Sequence, residues 1–379
     1  MKNDKKTKKL VAIVTNNDDD IYCFRKELVE GIKSAGYDVL ISCPYGEKFE
    51  LMQHIEYEYD NPIIDRRGTN IVADSKLFLH YLKLLKKYKP DIVLTYTVKP
   101  NIYCGMAAHI CKIPVICNVT GFGSVLKMSR CVQKLIMAMF KLSFSKAKCV
   151  MFQNESNMKN ALETGIVKRD YKLIPGSGVN TERFFKQPYP QGGNGIDGET
   201  VVFNYIGRIL KDKGVEDYIE AAKRIKEKYP NTSFNMLGFI EETELHYVED
   251  LKNLQEKNVV IFHGSQKDTR PFIRSSHAII HPSTYGEGMS NVLLESASSG
   301  RPIISTDNPG CKETFVDNET GFQYKGGNVD ELCEKIEMFL EMPNNERALM
   351  GEKGRTYIEK NFSREIVVNA YLQKINELI

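Results

Sequence analysis

AIIHPSTYGEGMSNVLLESASSGRPIIST, residues 278–306, contains a strand, a turn, a helix and a second strand in one continuous stretch. Its ends, AIIH and PIIST, are apolar or small throughout with no polar alternation, which suits strands buried on both faces. Between them a Gly-containing turn opens into helical sequence that begins near Ser290 and stops at Gly300. Strands joined through a helix pair in parallel, because a parallel pair needs a long crossover whereas an antiparallel pair can close with a hairpin. This stretch therefore predicts an α/β domain with a parallel sheet covered by helices.

The same alternation extends in both directions. Strand sequence recurs at 201–206, 233–237, 259–262, 302–306 and 321–324, with helical sequence at 215–229 and 330–342. The first half repeats the pattern, with strands expected at 10–15, 38–43, 91–96, 115–119, 149–153 and 172–175. Helices fill the gaps, among them 24–35, closed by Gly36, and 76–88, halted before Pro90. Between the two sets, QPYPQGGNGIDGET (187–200) has no period and reads as a linker or surface loop. The chain closes in helical sequence from 344 to 379, interrupted near 361–363. The expected architecture is two Rossmann-like, doubly wound domains facing each other across a cleft. Their boundaries are 1–184 and 185–361, with a terminal helix, 362–379, able to cross back to the first. Ligands of such sheets bind beyond the carboxyl ends of the strands.

Composition narrows the class. At 379 residues and 42% hydrophobic, the chain can bury large cores and is neither disordered nor fibrous. Nine scattered cysteines without a CxxC pair suit free thiols in a reducing compartment, hence a cytoplasmic location. No apolar run approaches the roughly 20 residues that span a bilayer, and the N-terminal sequence is too acidic for a signal peptide. The net charge of +3 conceals an uneven split: residues 1–190 carry +11 and residues 191–379 carry −8. A basic half can serve nucleic acid, an anionic membrane or an anionic substrate. No aromatic-basic array supports nucleic acid.

Two motifs carry chemistry. In VVFNYIGRILKDKG (201–214) a strand runs into Gly207 and Arg208, and Lys213 precedes a helix start. Two cations beside free helix amides favour a diphosphate, although each alone suits an ordinary surface charge. In TYGEGMSN, Glu287 lies in the turn and Glu295 in the second turn of the following helix. Ser290 is expected to cap that helix, leaving the amides of residues 291–293 aimed above the strand end. Carboxylates pair well with vicinal hydroxyls, so the two acids can meet ribose and sugar; a solvated loop acid and a helix acid are the plainer alternative.

GRILKDKG followed by EGMSNVLLE, an E-x7-E pair, resembles the nucleotide-sugar site of the family-4 retaining glycosyltransferases, whose fold is GT-B. PGSGVNTERF (175–184) is similar to the segment that closes the first domain in that family, and NPGCKE (308–313) agrees as well. The resemblance implies that Arg208 and Lys213 bind the donor diphosphate, Glu287 contacts the donor sugar and Glu295 holds the ribose. Gly207, Gly288, Met289, Ser290, Asn291 and Val292 would complete the donor site. It also implies retention by same-face attack, so Glu287 is catalytic without being a nucleophile. The only small molecule required would be a UDP-sugar, with no metal or other cofactor. Asp18, Asp19 and Asp20 contain a DxD string, but they follow the first strand of the opposite domain.

Within the family, TGFGS, DRRGTN (65–70) and YTVKPN (96–101) look most like a bacterial subgroup that builds surface polysaccharides on undecaprenyl diphosphate, including N-acetylgalactosaminyltransferases. Arg66, Arg67 and Lys99 are candidates for an acceptor diphosphate, with solvated charges an equal alternative; Asn16, Asn17 and Arg25 are candidate acceptor contacts, and Thr120, Gly121 and Gly123 form a turn whose backbone can approach the substrate. Thr120 departs from the family pattern, where a histidine often stands, and NNDDDIYCFR replaces a loop that is often Gly-rich. A lipid-linked acceptor requires the enzyme to visit the inner face of the cytoplasmic membrane as a peripheral protein. The segment from Ser129 to Lys148 is a basic amphipathic helix suited to an anionic surface, or equally a core-packed helix with a charged outer face. A sugar-nucleotide epimerase of the same fold and a silent nucleotide-sugar or glycan-binding subunit remain as alternatives.

Overall fold

In the computed structural model, residues 8–66, 68, 70–122, 125 and 129–379 are described. Arg67, Gly123 and the lysines at 2, 5 and 6 lie outside them. The chain forms two compact units: residues up to 177 together with Arg364–Ile379, and Gly178–Ser363. Val179 and Phe184, placed in the first domain by the sequence reading, are buried in the core of the second unit. Arg355 Nη1 holds that segment there, donating to Thr181 O at 3.1 Å and Phe184 O at 2.6 Å.

The first unit contains β1 Leu10–Val14, β2 Asp38–Ser42, β3 Glu58–Asp60, β4 Ile92–Tyr96, β5 Val115–Val119, β6 Cys149–Phe152 and β7 Tyr171–Leu173. They form one parallel sheet in the order β3-β2-β1-β4-β5-β6-β7. Successive strand residues point to opposite faces. Ala12, Val14, Leu40 and Val93 therefore meet helices Ile71–Tyr88, Gly105–Cys111 and Arg130–Phe144. Val11, Ile13, Ile41 and Leu94 meet helices Asp18–Ser34 and Arg364–Leu378 on the other face. β3 was not expected: it is a three-residue edge strand of Glu, Tyr and Asp without an apolar run. Helix Asp18–Ser34 starts ahead of its expected position because Asn17 Oδ1 accepts the Asp20 amide at 2.7 Å, and three acids in the first turn suit the positive end of its dipole.

The second unit contains β8 Val201–Ile206, β9 Thr232–Leu237, β10 Ile261–Phe262, β11 Ala278–His281, β12 Ile303–Thr306 and β13 Gly321–Tyr324. This sheet is also parallel, in the order β10-β9-β8-β11-β12-β13. Segment 187–200 has no regular structure, as expected, yet it is firmly tied. Buried Arg301 donates to the carbonyls of Gln187 and Pro188, Arg347 to that of Gly193, and His277 Nε2 to that of Gln191. Carbonyl acceptors are what make a buried guanidinium tolerable.

Candidate active site

Both sheets reverse their strand order at the centre, between β1 and β4 and between β8 and β11. Chains leaving adjacent strands in opposite directions open a crevice at the carboxyl ends, where ligands of doubly wound sheets bind. In the second unit, Gly207 and Arg208 follow β8 and the turn holding Glu287 follows β11, so the topology brings the two sequence motifs together. The loops are also bonded to each other, Thr284 N donating to Asp212 O at 3.0 Å. Gly214 has φ +72°, and a Cβ there would lie 2.0 Å from Pro282 O, so only glycine lets the Lys213 turn approach so closely.

Lys213 Nζ lies 2.7 Å from Glu287 Oε1, with side chains only 11% and 15% exposed. His281 Nε2 lies 3.0 Å from the same oxygen. Burial alone would raise the Glu287 pKa, but the Lys213 ammonium and then the His281 hydrogen bond outweigh it and hold this carboxyl far below the usual range. Glu287 is therefore ionised and accepts only. Its loop is fastened from behind by the NPGCKE turn. Glu287 N donates to Pro309 O at 3.0 Å and Ser290 N to Gly310 O at 2.7 Å, while Gly310 N is held by Glu313 Oε2 at 2.7 Å.

Arg208 is more exposed, at 43%, and its Nη1 meets Glu241 Oε1 at 2.9 Å. Tyr205 OH donates to Arg208 O at 2.7 Å, fixing the backbone below it, and Gly207 N donates to Leu237 O. Each cation thus rests on a carboxylate from a different loop. Glu295 is half-buried on helix Asn291–Ser298. Met289 packs into the core and Val292 against it, so what Gly288, Met289, Ser290 and Asn291 can offer a ligand is mainly backbone. Ser290 does stand at the N-cap position with extended backbone, but its hydroxyl makes no cap bond and lies 3.3 Å from His281 Nε2 instead. The expected side-chain cap is corrected accordingly: the hydroxyl stands against the nearby buried imidazole instead of the helix amides.

His281, Glu287 and Cys311 bring one ligand atom each within 4.8 Å of one another. The Lys213 ammonium already lies against Glu287 Oε1, and burial pushes the Cys311 thiol well above its ordinary pKa. The acids after β1 are engaged as well: Asp18 accepts the Lys48 amide, Asp19 pairs with the Lys48 ammonium at 3.3 Å, and Asp20 takes Thr15 Oγ1 and pairs with Arg25 at 3.3 Å.

The residues marked in the first unit lie around its own strand ends. Asn16 and Thr120 are half-buried, Gly121 has φ +129°, and Arg66 is exposed. Asn17 caps a helix, Lys99 Nζ is held by Asp74 Oδ1 at 2.6 Å, and Arg25 is only 3% exposed, its guanidinium 3.7 Å above the Tyr96 ring. Sequence reasoning missed three groups. Thr97, directly after β4, has φ +65°, a strained conformation for a β-branched residue that no local pattern announces. Glu241 and His281 are ordinary loop and strand residues in sequence, and only the fold places them beside Arg208 and Glu287.

The chain is similar to known proteins. The family model for glycosyl transferases group 1 matches residues 191–357, and the glycosyl transferase 4-like model matches residues 11–154. The N,N'-diacetylbacillosaminyl-diphospho-undecaprenol alpha-1,3-N-acetylgalactosaminyltransferase of Campylobacter jejuni is 25% identical over 97% of this chain and 99% of its own length. The capsular polysaccharide biosynthesis glycosyltransferase CapM of Staphylococcus aureus is 28% identical over 89% of this chain and 90% of its own. Among solved structures, Anabaena HepE in complex with UDP and glucose matches 98% of this chain and 100% of its own with a TM-score of 0.78. At 16% identity that likeness speaks to fold.

Proposed function

Since this chain belongs to the GT-B glycosyltransferases, with a glycosyl transferase 4-like first half and a group 1 second half, we propose that it moves a hexose or N-acetylhexosamine from a UDP-sugar to a lipid-linked saccharide, with retention, in bacterial surface-glycan assembly. The observation that carries this reading is the pairing of Lys213 with Glu287 beside Arg208 at the switch point of the second sheet. The undecaprenol named for the Campylobacter relative supports the acceptor class, and the UDP-Gal named for an Escherichia coli alpha-1,3-galactosyltransferase, 28% identical over 71% of this chain and 71% of its own length, supports the donor class.

In this reading the donor diphosphate takes Arg208 and Lys213 while Glu295 accepts from the ribose. Glu287, ionised and held in place, accepts from hydroxyls of the donor sugar. As the bond from the anomeric carbon to the phosphate oxygen breaks, negative charge develops on the diphosphate, where preorganised cations stabilise it. The acceptor hydroxyl attacks from the same face, and its proton passes to the departing phosphate oxygen. No protein nucleophile enters, so the configuration is retained without a glycosyl-enzyme intermediate.

Meeting a lipid-linked acceptor requires a surface for the bilayer, since among the described residues no helix is long and apolar enough to cross a membrane. Residues 92–154 contain no Asp or Glu. Within that span, helix Arg130–Phe144 turns Phe140 and Phe144 into the core and exposes Leu135 and Leu142, each 60% accessible, beside Lys134 and Lys141. Acid-free, basic and tipped with leucine, this face suits anionic headgroups.

The test is a panel of UDP-sugars, with GDP- and ADP-sugar controls, incubated with purified protein and undecaprenyl-diphosphate-linked mono- and disaccharides, scored by mass spectrometry. Extension by one sugar from one UDP donor, with the anomeric configuration conserved, is the expected result. Donor conversion without extension would replace the proposal with epimerisation, and saturable binding without turnover would replace it with a silent subunit.

A further inference from the structure

We propose that His281 is a positioning residue that holds the Glu287 carboxylate in the orientation needed to meet the donor sugar. The inference rests on the reading of Glu287 as a sugar contact.

Glu287 stands in a turn between Gly286 and Gly288, where the backbone alone fixes little beyond its own path. Two donors meet its Oε1: Lys213 Nζ at 2.7 Å and His281 Nε2 at 3.0 Å. They differ in stiffness. A lysine ammonium rides on a four-carbon stem and can follow a moving partner. His281 ends β11, pairs in register with Ser305 of β12, and accepts Ser305 Oγ on its carbonyl at 2.8 Å. Its ring is buried, at 2% exposure, so it is the rigid member of the pair.

The proton inventory agrees. An ionised Glu287 can only accept, so His281 Nε2 must carry the hydrogen that lies between them. Among the described residues, Nδ1 is buried without a hydrogen-bond partner. The hydrogen that Glu287 accepts therefore sits on Nε2, the ring nitrogen that has partners. Ser290 Oγ, at 3.3 Å, stands within reach of the same nitrogen rather than capping its own helix, which keeps the ring from turning away.

The full chain is tested as His281→Leu, His281→Gln and Glu287→Gln. Rates use the UDP-sugar that the donor panel identifies, and calorimetry measures UDP binding. His281→Leu should lower kcat by about tenfold to a hundredfold, the usual consequence of a displaced reacting geometry, with donor KM and the Kd for UDP unchanged. His281→Gln, whose amide can present an N–H near the Nε2 position, should recover most of the loss. Native kcat in His281→Leu with an impaired Glu287→Gln overturns the positioning role. Native kcat in Glu287→Gln overturns the sugar-contact reading beneath it. Equal loss in both histidine variants, together with weakened UDP binding, assigns His281 to packing and likewise overturns the inference.

Discussion

Removing the Lys213 ammonium while keeping Glu287 isolates the energetics of the site. The two side chains are 11% and 15% exposed and 2.7 Å apart, and stranding one partner of such a buried pair costs roughly 3–5 kcal/mol. The loss has a ceiling, because Glu287, left without its ammonium partner, can shed its charge by taking a proton. With an unfolded pKa of about 4.3, protonating a glutamate at pH 7.5 costs about 4 kcal/mol, falling by about 1.4 kcal/mol per pH unit to under 2 kcal/mol at pH 5.5. Lys213→Ala should therefore be destabilised by about 3–4 kcal/mol at pH 7.5 and recover as pH falls, since its folded form then binds the proton more tightly than its unfolded form. The native chain behaves oppositely: Lys213 and His281 depress the Glu287 pKa, so that contribution is constant above about pH 4.3 and is lost only below it. Lys213→Ala/Glu287→Gln should recover most of the stability, lose the pH dependence and remain inactive. With no tryptophan in the chain, urea unfolding followed by far-ultraviolet circular dichroism is the assay. A loss below about 1 kcal/mol at pH 7.5, or one that does not vary between pH 7.5 and 5.5, would refute the reasoning.

Three further outcomes follow from the same geometry. Arg208→Ala should lower kcat by roughly a hundredfold to a thousandfold in a protein with a native circular dichroism spectrum, and unchanged turnover would remove Arg208 from the diphosphate. Glu241→Gln frees Arg208 from its competing acid at 2.9 Å and should tighten UDP binding by up to about fivefold in calorimetry, as befits a partly exposed pair; weaker binding would make Glu241 a ligand contact instead. His277 accepts the Val202 amide on Nδ1 and donates from Nε2 to Gln191, so burial lowers its pKa to about 4. Its contribution, about 3 kcal/mol, should be complete above pH 6.5 and disappear as pH falls towards 4, and His277→Asn should flatten that slope in urea midpoints.

Strands with continuous apolar runs were legible from sequence to within a residue or two, as at Val115–Val119 and Ala278–His281, because burial on both faces writes itself into composition. The edge strand Glu58–Asp60 was not, since none of its residues is fully buried and two of them are acids. Helix starts were legible only where a break was obvious. Asn17 and Asn70 both advance a helix by capping, and each stands in polar sequence that also reads as loop. In the site, Arg208, Lys213 and Glu287 were visible because their motifs are local. Glu241 and His281 were invisible because their partners lie 33 and 6 residues away and meet them only through the fold.

Helix Arg364–Leu378 belongs to the first unit although it follows the second in the chain. It brings Val367, Tyr371 and Ile375 to the face of the first sheet that holds Val11 and Ile13, Tyr371 OH receives Asn118 Nδ2 at 2.8 Å, and Arg364 bonds Glu27 at 2.9 Å. During translation the strands of the first unit leave the ribosome first, yet one face of their sheet, covered in part by helix Asp18–Ser34, lacks the rest of its cover until the whole second unit has been made. The second unit is continuous and can fold as soon as it emerges. Order of synthesis and order of completion are thus inverted, and a nascent chain interrupted before residue 364 would present a finished second unit tethered to a first sheet with apolar surface still uncovered.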